Sequence, residues 1–131
     1  MAGPRILMVD DSEDDVLLAS AQIRRWVRDA RFRRVDNGAA LERALREEQW
    51  DMVLCDHNMP SFDSTAALNL VRQMDKDLPF FVYSGDFTRA QTEDALKSGA
   101  QGVLEKRDTS GLTRAICEAM ANADARPAMA D

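Results

Sequence analysis

Five short apolar runs, each followed by a longer amphipathic segment, recur along this chain of 131 residues, and that alternation restricts its fold more than any other feature. Repeated βα units build a parallel sheet, because each helix must cross one face of the sheet before the next strand can pair. The strand candidates are Arg5–Val9, Arg31–Val35, Met52–Cys55, Pro79–Tyr83 and Gly102–Glu105. All are short enough to be buried on both faces. The second is polar and suits an edge, which leaves the other four as the interior of the sheet. With right-handed crossovers, the common threading is a doubly wound (βα)5 sandwich, an α/β fold of three layers with strand order 2-1-3-4-5.

The helices follow from apolar spacing and end signals. Ser12 can cap the first, with Asp15 three residues on in a capping-box-like pattern, and Val16, Ser20, Ile23 and Val27 share a face. The second, about Ala39 to Glu48, turns Leu41, Ala44 and Leu45 inward, and the third, about Ser64 to Met74, turns Leu68 and Val71 inward. The fourth, about Thr88 to Lys97, has few large apolar residues beyond Leu96, so its hold on the sheet is expected to be the weakest, and Gly99 is placed to end it. The fifth, about Thr109 to Ala121, aligns Leu112, Ile116 and Met120. The expected organisation is one domain over residues 1–122 and a polar tail over 123–131.

Charge and cysteine content narrow the function. A formal net charge of −6 argues against a general nucleic-acid binder, which needs a basic surface to displace counterions. The run Arg24, Arg25, Arg28, Arg31, Arg33 and Arg34 reads as a solvated helix end and edge strand that an acidic partner could meet. Cys55 and Cys117 both fall in apolar or helical segments, so two buried, reduced thiols are expected. There is no signal-peptide pattern and no apolar stretch near the roughly 18 residues needed to cross a bilayer, so the expected location is cytoplasmic.

In a doubly wound sheet ligands bind at the carboxyl ends of the strands. There this chain places Asp10 and Asp11 after the first strand, Asp56 after the third, Ser84 after the fourth and Lys106 after the fifth. Any one of these is more often a helix cap or turn former than a ligand; their convergence on one edge carries the inference. Three carboxylates brought together repel unless a cation holds them, and hard oxygen ligands with open positions suit Mg²⁺. A carboxylate beside such a cation can act as a nucleophile towards phosphorus, and Asp56 is the best-placed one. Lys106 would supply a second cation and Ser84 a hydroxyl donor to the phosphoryl oxygens.

The segments Ile6-Leu7-Met8-Val9-Asp10-Asp11, Val53-Leu54-Cys55-Asp56-His57-Asn58-Met59-Pro60, Val82-Tyr83-Ser84-Gly85 and Leu104-Glu105-Lys106 resemble the receiver domains of two-component response regulators, over about Arg5 to Ala121. The resemblance implies a flavodoxin-like receiver that accepts a phosphoryl group on Asp56 from a histidine kinase or histidine phosphotransfer protein. It implies Mg²⁺ held by Asp11, Asp56 and the backbone carbonyl of Asn58 directly and by Asp10 through water, with Ser84 and Lys106 contacting the phosphoryl group. It also implies a signalling switch rather than an enzyme, passing from Ser84 to the surface of the fourth helix, fifth strand and fifth helix. Because no output domain follows, the expected role is a stand-alone regulator signalling through protein contacts, with no direct nucleic-acid binding and no membrane insertion. The alternatives are a receiver fragment of a larger regulator or hybrid kinase, or a phosphate sink or docking module.

Two positions depart from the family pattern. Arg107 stands where receivers usually carry Pro, and Val103 where they carry the switch aromatic, so coupling from Ser84 is expected to run through Tyr83 or Phe87 instead. The residues two after Asp56 and two after Ser84, Asn58 and Asp86, form a polar pair expected to orient an attacking water and shorten the phosphorylated state. His57, the only histidine, is adjacent to Asp56 but points to the other side of a strand, and Trp26 and Trp50 read as core or edge packing. A haloacid-dehalogenase-type enzyme would need a second Asp where Asn58 stands. A mononucleotide binder would need a Ser/Thr/Gly-rich loop where Asp10-Asp11-Ser12-Glu13-Asp14-Asp15 stands.

Overall fold

The computed structural model describes residues 3–57, 59–60, 62–85, 88–106 and 108–125. Five strands, β1 (Arg5–Val9), β2 (Arg31–Val35), β3 (Met52–Asp56), β4 (Phe80–Ser84) and β5 (Gly102–Glu105), alternate with five helices, α1 (Glu13–Arg24), α2 (Gly38–Glu47), α3 (Ser64–Met74), α4 (Arg89–Lys97) and α5 (Thr109–Ala125). All strand pairs are parallel and the order is β2-β1-β3-β4-β5, as the alternation predicts.

Side chains alternate between two apolar layers with the strand period of two. Leu7, Val9, Val53, Cys55, Phe80 and Val82 face a core completed by Leu41 and Ala44 of α2 and Leu68 and Val71 of α3. Ile6, Met8, Met52 and Leu54 face the other, completed by Val16, Ala19 and Ile23 of α1 and Leu112 and Ile116 of α5. Each large side chain taken fully out of water contributes roughly 1.5–3 kcal/mol, so the three central strands anchor the fold.

Several sequence expectations change. β5 is the second edge rather than an interior strand, and its residues are only partly covered, with Glu105 exposed. The weak hold expected of α4 is observed: none of its residues is buried, and Leu96 is 47% exposed. Its neighbour Ala95 makes the contact instead. α5 runs to Ala125, four residues past the expected end and into the expected tail. Cys55 is buried but Cys117 is exposed, since on α5 it lies about 100° round the helix from buried Ile116. Trp50 packs in the core with its indole N–H donating to the Ala44 carbonyl at 2.9 Å, whereas Trp26 is 69% exposed.

Asn37, Asp63 and Thr88 cap α2, α3 and α4 with side-chain oxygens, and Gly99 follows α4 with φ of 109°, a left-handed conformation that glycine adopts without a Cβ clash. Arg72 of α3 gathers the start of β4: its guanidinium donates to the Leu78 carbonyl at 2.7 Å, the Gly99 carbonyl at 3.1 Å and Gln101 Oε1 at 3.2 Å. Gln101 Oε1 in turn accepts from the Phe80 N–H at 2.8 Å. No described helix is long and apolar enough to cross a membrane.

Candidate functional site

The carboxyl ends of β1, β3, β4 and β5 bring the expected residues together. Asp10 follows β1 and is fixed by its backbone N–H, which donates to the Val35 carbonyl at 2.9 Å. Asp56 is the last residue of β3, where its Cα pairs with Tyr83. Ser84 ends β4, and its carbonyl accepts the Lys106 backbone N–H at 3.0 Å, which locks the start of the β5–α5 loop to the same edge. Asp10, Asp56 and Ser84 are buried, whereas Asp11 is exposed at the mouth.

Oxygen atoms of Asp10, Asp11 and Asp56 lie within 4.8 Å of one another. Asp10 Oδ1 accepts the Ser12 backbone N–H at 2.9 Å, but its Oδ2 is buried with no hydrogen-bond partner among the described residues. Burial pushes the Asp10 carboxyl up to about 6; the Ser12 N–H opposes this, the Asp56 charge adds to it, Lys106 pulls it back and Asp15 raises it again. An orphaned anionic oxygen among hard oxygen donors is the environment a divalent cation relieves. On this ground Asp10, Asp11 and Asp56 fit Mg²⁺.

Lys106 is the cation of the pocket. Its ammonium lies 3.6 Å from Asp10 Oδ2 and 3.6 Å from Asp56 Oδ1, and donates at 2.8 Å to Asp15 Oδ2. Burial alone would depress this ammonium, but the Asp15 hydrogen bond, with the charges of Asp10 and Asp56, outweighs burial and raises its pKa above the usual lysine value. The Asp15 contact was not expected from sequence. Ser12 does cap α1, its Oγ accepting the Asp15 N–H at 3.2 Å, yet the Asp15 carboxylate reaches Lys106, and the Ser12 N–H that a capping box would use is given to Asp10. An acidic residue in the first turn is so common as a helix signal that nothing in the sequence marks this one for a lysine 91 positions away.

The remaining candidates separate. Asn58, Asp86, Phe87 and Arg107, and with them the expected carbonyl ligand, the water-orienting pair, one coupling aromatic and one family departure, lie outside the described residues. Tyr83 is buried beneath the Lys106 ammonium, which sits 4.9 Å from the ring centre. Val103 packs partly buried against the α2–α3 core. The ring of His57 turns to α3, with Nδ1 3.3 Å from Ser64 Oγ. In the arginine run, Arg33 pairs with Glu47 and Glu48 and Arg34 with Asp36, as a solvated edge would.

The chain is similar in sequence and in fold to known proteins. A family model described as the response regulator receiver domain matches residues 6–117. The chain is 34% identical over 109 residues to the transcriptional regulatory protein PrrA of Mycobacterium tuberculosis, covering 81% of this chain and 45% of that one. It is 29% identical over 108 residues to the sensor histidine kinase GacS of Pseudomonas protegens, covering 79% of this chain and 12% of that one. The chain thus spans less than half the length of these curated relatives. Among solved structures, the receiver domain of the sensor histidine kinase PA1611 from Pseudomonas aeruginosa, described with a magnesium ion in its active-site cleft, superposes with a TM-score of 0.77 at 22% identity, covering 92% of this chain and 99% of that one. With the matching fold, the acidic cluster and a family match spanning most of its length, this chain belongs to the response regulator receiver domains.

Proposed function

We propose that this receiver takes a phosphoryl group on Asp56 from the phosphohistidine of a histidine kinase or phosphotransfer protein, in the cytoplasm, and signals through protein contacts. The observation that carries the reading is the cluster itself: oxygens of Asp10, Asp11 and Asp56 within 4.8 Å, with the Lys106 ammonium 3.6 Å from Asp56. Asp10, Asp11 and Asp56 would hold Mg²⁺, with the Asn58 carbonyl as the further ligand the family resemblance implies; the bound ion would neutralise charge on the transferring oxygens. In the transfer, an Asp56 carboxylate oxygen forms the new O–P bond as the donor's P–N bond breaks. The electron pair returns to the imidazole nitrogen, which takes a proton from solvent. Lys106 and Ser84 receive the phosphoryl oxygens, so the pocket rather than the donor supplies the compensating hydrogen bonds.

The chain modifies its own Asp56 and does not turn over a pool of small substrates, because the position two after the nucleophile is Asn58 and offers no general acid. Its net charge of −6 supports output through proteins rather than DNA. The test is exposure of the protein to a small phosphodonor with Mg²⁺, followed by intact-mass measurement. Wild type is expected to gain one phosphoryl group and Asp56→Asn none. Absence of the gain in wild type, or its persistence in the variant, overturns the reading.

A further inference from the structure

The shortest contact of the Lys106 ammonium is not with either carboxylate of the strand edge but with Asp15 on α1, at 2.8 Å against 3.6 Å for both Asp10 and Asp56. Only the first is within hydrogen-bond reach. Resting on the phosphoacceptor reading of Asp56, we infer that Asp15 is the resting partner of Lys106, a competitor from which the ammonium is drawn when a phosphoryl group arrives, so that Asp15 sets how tightly the pocket holds that group.

The exchange has a direction. The Asp15 side chain is 43% exposed, so water replaces Lys106 when the pair opens, and a pair with one partner half in water is worth little. The Asp56 side chain is 5% exposed, and a phosphoryl dianion bound there attracts the ammonium in a much drier setting. Asp15 also adds a like charge beside the incoming dianion. Loss of its charge therefore frees Lys106 and removes repulsion, and both effects favour phosphoryl binding. Lysine suits this role, being a point charge on a flexible stem that can change partners without a fixed fork geometry.

The exchange also reaches the outside of the domain. Asp10 Oδ1 holds the Ser12 N–H at 2.9 Å, Ser12 Oγ holds the Asp15 N–H at 3.2 Å, and Asp15 holds Lys106, so the first turn of α1 is tied to the site at both ends. Two and three residues on, Leu17 and Leu18 are 61% and 63% exposed. This tie runs without Val103, which packs on the other core. The ordinary role of Asp15, an acidic residue favoured near a helix N-terminus, needs no lysine from the β5–α5 loop and predicts no effect on anion affinity.

The test titrates beryllofluoride, a phosphoryl mimic, into the full chain at saturating Mg²⁺ and follows backbone amide resonances. Asp15→Asn is expected to bind about three- to fivefold tighter than wild type, and Asp15→Glu, which restores the charge, within about twofold of wild type. Affinity for Mg²⁺ alone is not expected to tighten in Asp15→Asn, since removing a negative charge cannot favour a cation. A purely structural role leaves the variant unchanged or weaker in beryllofluoride, and either result overturns the inference. Should wild type take up no beryllofluoride, with Asp56→Asn behaving identically, the phosphoacceptor reading itself fails and this inference falls with it.

Discussion

The Lys106 ammonium sits 4.9 Å from the centre of the Tyr83 ring, so the pocket cation rests on an aromatic floor supplied by β4. Burial pushes the Tyr83 phenol up to about 12, the Lys106 charge pulling it partly back and the carboxylates of Asp10, Asp15 and Asp56 adding to the rise. Tyr83 is the only tyrosine, so phenolate absorbance near 295 nm reports on it alone. The folded pKa lies above the ordinary value of about 10. The folded protein therefore keeps its proton longer than the unfolded chain, and this group's contribution to stability is complete below about pH 10 and lost as pH rises towards 12. Spectrophotometric titration is expected to show a midpoint well above 10, and a midpoint at the ordinary value while far-ultraviolet dichroism still reports a folded chain would contradict it.

Asp10 Oδ2 is buried without a hydrogen-bond partner among the described residues, which makes its charge costly when no metal is bound. Asp10→Asn removes that charge and keeps an oxygen for the Ser12 N–H. In the presence of a chelator the variant is expected to be more stable than wild type, by on the order of 1–3 kcal/mol. Added Mg²⁺ should then stabilise wild type and leave the variant nearly unchanged. Urea midpoints with and without Mg²⁺ measure both, and a variant weakened in chelator speaks against this picture.

Arg72 holds the carbonyls of Leu78 and Gly99 and the side chain of Gln101 with one guanidinium. Burial lowers its pKa, while Asp75 and Asp77 act in the opposite sense. Arg72→Ala leaves these acceptors without their charged donor and is expected to cost about 2 kcal/mol in chemical denaturation. Arg72→Lys should recover only part of that, because a single ammonium cannot reproduce the planar fork. Full recovery by lysine would show that charge, not geometry, does the holding.

Cys55 and Cys117 are expected to differ in reactivity. Burial, with the nearby charges of Asp56, Asp10 and Asp63, raises the Cys55 pKa far above its ordinary value, so its thiol stays protonated across the physiological range. Cys117 is exposed on α5. Alkylation of the native protein followed by mass measurement should show one modified thiol, located at Cys117 by peptide mapping, and a second only after unfolding. Equal labelling of both in the native state would contradict the burial of Cys55.

The fold was legible because its signals are local and repeated. Apolar runs of strand length, separated by amphipathic segments with Ser12 and Thr88 among their starts, specify βα units to within about a residue at most of their ends. The errors fell where coverage depends on a neighbour's reach. β5 looks like an interior strand by composition, but among the described residues nothing pairs beyond it. Cys117 reads as buried from its apolar character, which describes what a side chain tolerates and not what surrounds it.

The sequence by itself determined the architecture and the identity of the acidic pocket, because strand-end residues of a doubly wound sheet converge whatever their side chains do. Asp10, Asp11, Asp56, Ser84 and Lys106 could thus be named from spacing. Only the tertiary structure decided how those charges divide among partners. Whether Lys106 bonds Asp56, Asp10 or Asp15 turns on differences of less than an ångström between contacts of 2.8 and 3.6 Å. Such distances arise from the packing of α1 beside α5 on one face of the sheet, and electrostatic energies in a partly buried pocket follow distance and exposure rather than order along the chain.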